Sequence, residues 1–386
     1  MNNFEYSLPT RFIFGQGNIE KIGNFVPQFG RRVLLVYGKG SIKRNGIYDK
    51  VIKSLEHNQC KIWELSGVQP NPVIDKVREG VKIAKENNIQ VVIPVGGGSV
   101  WDSAKVIAAG ALYDGDPWDF FEGEDIKKAL PIVGILTLPA TSTESNPIAV
   151  ITNKEKKQKK AVYNFNIQPK ITIIDPTALY SIPKDFLVYG MIDIFSHLLE
   201  GYSDRAKTML LDTYSINTMK LLMKLMPMIK ENQNNYDLAA ELFWTATVSH
   251  GGLLYAGRNG GDWACHKIEH AISANYDFVI HGAGLSIVTP AWLRYVWREL
   301  PEKYEILFRE LFNLYGSREY IVEKGIDLLE AFFKGLGAPI RLSEYKEIDV
   351  DKAKNEILDT LEEYYPFGQV KQLIREDVSE IYELFK

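Results

Sequence analysis

The chain has 386 residues, 46% of them hydrophobic and 24% charged, with a formal net charge of −4. That is long enough for two domains with cores of their own, and the composition is that of a folded globular protein. The small negative charge offers no general attraction to nucleic acid or to a membrane surface. No apolar run reaches the roughly 18 residues of a membrane span. The opening MNNFEYSLPTRFIFG lacks the basic start and apolar core of a secretory leader. Cys60 and Cys265 are far apart and not in C-x-x-C spacing, so no disulfide framework is expected and the cytoplasm is the predicted location.

In chain order, RRVLLVYGKGS (31–41) is an apolar, β-branched run stopped by glycines, and CKIWELSGVQPNP (60–72) follows a helical stretch and ends in a turn. VIDKVREGVKIAKENN (73–88) has apolar residues near 73, 77, 81 and 84, the helical period. IQVVIPVGGGSVWDSAKVIAAGAL (89–112) is a buried strand that runs through glycines into a helix. PIVGILTLPATSTESNP (131–147) and KITIIDP (170–176) supply further buried strands. Strands apolar on both faces and alternating with helices predict a parallel sheet covered on both sides, an α/β domain over residues 1–182. After Ile182 the segments PKDFLVYGMIDIFSHLLEGYSD, MLLDTYSINTMKLLMKLMPMIKEN and YDLAAELFWTATVSHGGLLYAG, and the chain from Leu300 onward, read as helices. A helical domain over 183–386 is the expectation.

Three stretches of the α/β half suit a ligand. In VIPVGGGSVWDSAK (92–105) a strand enters three glycines and a helix leaves, which lets the backbone approach an anion at a helix N-terminus. Ser99 and Asp102 also fit a capping box, which needs no ligand. The hydroxyl-rich loop LPATSTESNP (138–147) follows a strand, where α/β sheets bind ligands, although an ordinary polar connection has the same composition. In VYGKGSIKRNG (36–46) the acid that binds the adenosine ribose in NAD enzymes is absent. Lys39, Ser41, Lys43 and Arg44 suit the extra phosphate of NADP, or make a simple basic turn. The run KEKKQKK (154–160) reads, for most of its lysines, as a solvated loop.

Five of the six histidines fall between 197 and 281. In GMIDIFSHLLEGY (190–202) Asp193 and His197 share a face of a helix apolar nearly all round, with Glu200 a turn further on. A buried carboxylate needs a partner. CHKIEH (265–270) puts His266 and His270 on one helix face, and VIHGAG (279–284) presents His281 among small residues. Asp193, His197 and two further histidines would make an N₃O set suited to Zn²⁺ or Fe²⁺; a satisfied Asp–His pair is the alternative. His250 and His57 carry no assigned role.

With these motifs together, the chain resembles the iron-containing alcohol dehydrogenase family, and within it the NADPH-dependent butanol dehydrogenase and aldehyde reductase branch. GGGSVWDSAK matches the family's G-G-G-S-x-x-D-x-x-K, and DPWDFF (116–121), TLPATSTESN (137–146), IIDP (173–176), GMIDIFSHLLEGY and DWACHKIEH (262–270) follow in family order. The resemblance implies a Rossmann-like nucleotide-binding domain followed by an all-α metal-binding domain, the dehydroquinate synthase-like architecture. It implies metal ligands at Asp193, His197, His266 and His281, with His270 as a catalytic or proton-relay group near the nicotinamide. Gly97, Gly98 and Ser99 would hold the pyrophosphate, with Asp102 near a ribose. Thr137, Leu138, Thr141 and Asn146 would line the cofactor cleft, and Lys159 would reach the ribose or nicotinamide side. Gly38, Lys39, Gly40 and Ser41 stand where NAD-preferring members carry an acid, which favours NADP(H). Two departures stand out: Ser142 takes the place of a glycine in the usual T-G-S-E, and the span from His266 to His281 is about a residue longer than in similar reductases.

The activity so implied is reversible hydride transfer between NADP(H) and a small aldehyde or primary alcohol, with one divalent metal, Fe²⁺ or Zn²⁺, as Lewis acid. The resemblance also implies a homodimer or larger assembly. A polyol dehydrogenase or dehydroquinate synthase on the same fold is the nearest rival, and a non-catalytic nucleotide- and metal-binding protein the other.

Overall fold

The computed structural model describes residues 1–386. Its first part runs β1 (Arg11–Phe14), β2 (Arg32–Gly38), α1 (Ser41–Arg44), α2 (Ile47–His57), β3 (Lys61–Val68), α3 (Ile74–Glu86), β4 (Val91–Gly96), α4 (Gly98–Gly110), β5 (Val133–Leu136), β6 (Ile148–Asn153), β7 (Gln158–Tyr163) and β8 (Ile171–Ile174). Six strands form one sheet in the order β1-β8-β5-β4-β2-β3, every pair parallel. β4, β5 and β8 are buried along their whole length and β2 along its middle, as an apolar run requires when both faces of a parallel sheet are covered.

The order reverses between β2 and β4: β3 lies on one side of β2, and the chain then crosses to β4 on the other. That reversal opens a crevice at the carboxyl ends of the two strands, where α/β sheets take ligands. The chain leaves β2 there at Gly38 and β4 at Gly96. β5 ends beside β4, with the Thr137 N–H donating to the Gly96 carbonyl at 3.0 Å.

β6 and β7 pair with each other as an antiparallel hairpin outside the main sheet. Neither was expected, although the β-branched AVIT and the turn at 154–157 were available signals. The hairpin is tied to the segment after β3 by a bridge between Val73 and Thr152 and by the Thr152 N–H donating to the Pro72 carbonyl at 2.7 Å.

The rest of the chain is helical: α5 (Lys184–Tyr202), α6 (Met209–Glu231), α7 (Tyr236–Ser249), α8 (Ala264–Asn275), α9 (His281–Val296), α10 (Pro301–Phe312), α11 (Arg318–Leu336), α12 (Val350–Thr360) and α13 (Arg375–Phe385). The chain divides into a helical unit, Met1–Tyr6, Pro183–Asn232 and Gly252–Lys386, and an α/β unit, Ser7–Ile182 and Gln233–Gly251. α7 thus belongs with the sheet, whereas the sequence places it in the helical half. Trp244 on α7 meets Phe12 and Phe14 of β1 edge-on, and Thr247 donates to Glu144 at 2.7 Å. A helical period says that a face will be buried but not which unit buries it.

In the helical unit α5 is buried almost throughout and packs against α6, α8 and α9. Each of its large apolar side chains contributes about 1.5–3 kcal/mol on burial. That background holds the polar residues on α5 in place. No helix is long and apolar enough to cross a membrane.

Candidate functional site

Three polar residues of α5 form a stripe: Asp193, His197 and Glu200, at i, i+4 and i+7, all buried. α8 brings His266, Glu269 and His270, and α9 begins at His281. Two glycines in HGAG explain how α9 comes close enough. A Cβ on Gly282 would lie 2.0 Å from the carbonyl oxygen of Tyr189 on α5, and one on Gly284 would lie 2.6 Å from Cγ of Glu269 on α8. Only glycine permits both approaches.

Three imidazoles converge on one carboxylate oxygen. From Asp193 Oδ1, His197 Nδ1 is 3.5 Å away, His266 Nε2 3.6 Å and His281 Nε2 3.7 Å. These separations are too long for hydrogen bonds, and neither Asp193 Oδ1 nor His266 Nε2 has a hydrogen-bond partner although both are buried. They are close to the ~3.4 Å edge of a tetrahedron with metal–ligand bonds of about 2.1 Å. Asp193, His266 and His281 have donor atoms all within 4.8 Å of one another. His197 stacks on His266, ring centroids 4.6 Å apart, and reaches Asp193 from the side without joining that set. The residues fit a divalent cation.

The electrostatics point the same way. Burial acts to raise Asp193, but His197, His281 and His266 outweigh it and hold the carboxyl at about 2. Burial pushes His197 down to about 4. Burial also opposes charge on His266, yet Glu200 and Asp193 overcome it and lift the ring to about 9. The buried Asp193 carboxylate stays charged and draws positive charge to the cluster.

Two carboxylates absent from the expected ligands complete the arrangement. Glu200 is in hydrogen-bond contact with Nδ1 of His266, and Glu269 with Nδ1 of His281. Each leaves Nε2 pointing inward, as the outer carboxylate of a metal-bound histidine does. The sequence places each acid three residues after a histidine, Glu200 after His197 and Glu269 after His266, but the histidine each one contacts lies on another helix. His270 lies a turn beyond His266, its ring 5.4 Å from that of His281, and makes a second donor group with Glu269 and His281.

In the α/β unit the glycines after β4 are required by close packing. None of Gly96, Gly97 and Gly98 has a positive φ. A Cβ on Gly97 would lie 2.9 Å from Cβ of Leu138, and one on Gly98 would lie 2.7 Å from Oγ1 of Thr141. The β4–α4 turn and the loop after β5 are therefore pressed together at the crevice, and α4 presents its N-terminus there.

The capping box does not form: Gly97 is the N-cap, without a side-chain bond, and Ser99 lies within α4. The Asp102 carboxylate instead accepts from Thr143 Oγ1 at 2.6 Å and from the Val150 N–H at 3.0 Å. Expected beside a ribose, Asp102 binds α4 to the 143–150 segment, its oxygens engaged within the unit.

Lys105, the last residue of the GGGSVWDSAK motif and given no role from the sequence, is wholly buried on α4. Its Nζ has three N–H groups to donate and four acceptors in reach: Thr143 Oγ1 at 2.8 Å, the Asn146 carbonyl at 2.8 Å and Oδ1 at 3.1 Å, and the Ile148 carbonyl at 2.6 Å. Burial lowers its pKa to about 8 against the pull of Asp102 and Glu144. Asn146 in turn donates to the Thr141 carbonyl at 3.2 Å.

Ser142 does take the turn a glycine would make, with φ 51°. Its hydroxyl donates to the Ala246 carbonyl and accepts the His250 N–H at 3.1 Å. Of the basic run, residues 154–157 are exposed, whereas Lys159 is buried and donates to Asn71 Oδ1 at 3.0 Å. Gly38, Lys39, Gly40 and Ser41 form the turn from β2 into α1, with Gly40 left-handed at φ 107° and Lys39 and Ser41 exposed. Thr137 and Leu138 lie where β5 ends.

The α/β unit has a glycine turn at the switch point of its parallel sheet, and the helical unit has an aspartate–histidine donor set that fits a cation. Residues 9–176 match the family model described as iron-containing alcohol dehydrogenase, and residues 187–385 the C-terminal model of the Fe-containing alcohol dehydrogenase family. The chain is 41% identical over 386 residues to a probable NADH-dependent butanol dehydrogenase 1 of Bacillus subtilis, covering 99% of each chain. It is 34% identical over 355 residues to the NADPH-dependent aldehyde reductase YqhD of Escherichia coli, covering 89% of each. The crystal structure of an NADH-dependent butanol dehydrogenase A from Thermotoga maritima superposes with a TM-score of 0.96 at 43% identity, covering 100% of this chain and 99% of that one. The chain belongs to the iron-containing alcohol dehydrogenase family.

Proposed function

We propose that this member is a metal-dependent, NADP(H)-linked alcohol dehydrogenase and aldehyde reductase acting on small aliphatic aldehydes and primary alcohols such as butanal and butanol. The observation that carries the reading is the convergence of Asp193, His266 and His281 within 4.8 Å. We assign these residues and His197 as the metal ligands. Fe²⁺ agrees with the family description, and the same donors accept Zn²⁺. Butanal as the test substrate comes from the butanol dehydrogenases it resembles.

When bound, the cation supplies Lewis acidity toward a carbonyl oxygen and the nicotinamide supplies the hydride. The chain's residues supply the rest. Asp193 contributes the negative charge of the ligand set, and Glu200 and Glu269 hold the rings of His266 and His281 in the tautomer that offers Nε2. His270 holds a ring nitrogen from which a proton passes to the product oxygen. Gly97, Gly98 and Ser99 present the α4 N-terminus to the pyrophosphate, and Lys159 directs its ammonium to the nicotinamide ribose.

The choice of NADP(H) rests on Gly38–Ser41, which has no acid for the ribose hydroxyls and has Lys39, Lys43 and Arg44 nearby for a phosphate. The relatives at 37–41% identity are named for NADH, and YqhD, at 34%, for NADPH.

Oxidation of NADPH and of NADH with butanal, before and after chelation and with Fe²⁺ or Zn²⁺ restored, tests each part. Metal-dependent turnover with NADPH preferred is the expected result. Faster turnover with NADH would reverse the coenzyme assignment, and turnover indifferent to chelation would remove the metal.

A further inference from the structure

Trp263 is the N-cap of α8, three residues before His266, and its backbone is left-handed, with φ 67° and ψ 11°. A residue with a Cβ is strained in that region, and a bulky one more so. Glycine would sit there freely, and the same loop already uses glycine at positive φ at 257, 260 and 261. A tryptophan in this position needs a reason in its side chain.

The backbone around it is held from several directions. The preceding Asp262 accepts the N–H groups of Ala264 at 3.0 Å, Gln369 at 2.7 Å and Val370 at 2.6 Å. The Asp262 N–H donates to the Glu200 carbonyl at 3.0 Å. The indole N–H of Trp263 donates to the Gly260 carbonyl at 2.6 Å, and the Trp263 carbonyl accepts the Lys267 N–H at 3.0 Å. Strain of this kind persists only where the surroundings over-determine it, and it gathers at functional sites.

What the conformation achieves is placement of the indole. Its ring meets His266 edge-on at 5.1 Å and lies 6.0 Å from His197, with Tyr255 behind it at 5.8 Å. His197 and His266 are themselves stacked, so the indole braces both rings at once. Asp193, His197 and His266 are buried, while Trp263, His270 and His281 are partly exposed; the indole is an outer wall of the donor set.

We propose that Trp263 is a positioning residue of the metal centre: its left-handed backbone presses the indole against His197 and His266 and fixes the aim of both rings at the cation. This rests on the metal-centre reading above. The glycine variant removes the indole while leaving the left-handed conformation free of strain, with Asp262 and the Lys267 N–H still holding the backbone on either side.

The test is titration of metal-free, full-length protein with Co²⁺, following the visible ligand-field bands, for the parent, Trp263→Gly and Trp263→Phe, with melting temperatures of the metal-free chains alongside. In Trp263→Gly the metal-free melting temperature should hold or rise, while Co²⁺ affinity falls about tenfold or more and the bands shift, the scale of effect seen when a supporting partner of a ligand is lost. Trp263→Phe should recover most of both. Parent-like affinity and bands in Trp263→Gly would overturn the inference. If Trp263→Gly does not fold, Trp263→Leu takes its place, and parent-like bands there overturn it equally. A parent that binds no Co²⁺ would overturn the metal-centre reading itself, a different and distinguishable failure.

Discussion

Glu200 is in hydrogen-bond contact with Nδ1 of His266, and its other carboxylate oxygen accepts the Cys265 N–H at 2.7 Å. With Nδ1 so engaged, Nε2 is the nitrogen left facing Asp193, at 3.6 Å. Glu200→Gln puts an amide NH₂ against one of two N–H donors, which releases either the ring or the start of α8. Metal affinity, measured by competition with a chelating dye, should fall about 10- to 100-fold while the chain stays folded. Parent-like affinity would mean that packing alone orients His266.

His266→Ala removes a ligand from α8 and leaves the α/β unit untouched. Metal content after gel filtration should drop to background and turnover with it, whereas NADPH should still quench intrinsic fluorescence as in the parent. Normal turnover from a metal-free sample would remove His266 from the ligand set.

Gly38→Asp tests the coenzyme loop. Gly38 has an ordinary backbone conformation, and a Cβ there would meet only the Val68 carbonyl oxygen, at 3.4 Å, so the change should fold. An acid at this place accepts ribose hydroxyls and repels a 2′-phosphate, so the ratio of kcat/KM for NADPH over NADH should fall at least about tenfold, roughly 1.4 kcal/mol of discrimination. An unchanged ratio would show that this turn does not read the ribose.

Ser142 combines a cost and a gain. Its left-handed backbone costs about 1–2 kcal/mol, and its hydroxyl bonds to Ala246 and His250 offset that. Ser142→Ala keeps the strain and loses the bonds, and Ser142→Gly loses both. The alanine variant should therefore be the less stable of the two, by about 1 kcal/mol in urea unfolding. The reverse order would mean that the turn relaxes once the hydroxyl is gone.

Lys105 makes stability depend on pH in an unusual sense. Its folded-state pKa of about 8 lies below the ordinary 10.5. Between those values the unfolded chain holds a proton that the folded chain has released. The lysine's contribution to stability therefore rises with pH through that window, and its penalty is full below it. Lys105→Met lacks this contribution. The stability of the parent minus that of the variant should grow by about 2 kcal/mol between about pH 7.5 and pH 10. A flat difference would mean that the ammonium keeps its proton throughout.

Much of this protein is legible in its sequence because the signals are local. Apolar runs mark β2, β4, β5 and β8, the first two running into glycines, since strands buried on both faces have no polar side to alternate with. Asp193 and His197, or His266 and His270, four apart on apolar helices, show that buried polar groups await a partner. Only the tertiary structure decides what the local pattern leaves open. It brings three imidazoles from α5, α8 and α9 to a single oxygen of Asp193, and it gives Glu200 and Glu269 their partners among the histidines. It turns Asp102 from a cap into a link to Thr143 and Val150, and it packs α7 with the sheet. The period of a helix determines which residues share a face; which face meets which is settled by close packing, down to whether a Cβ fits at Gly282 or Gly284.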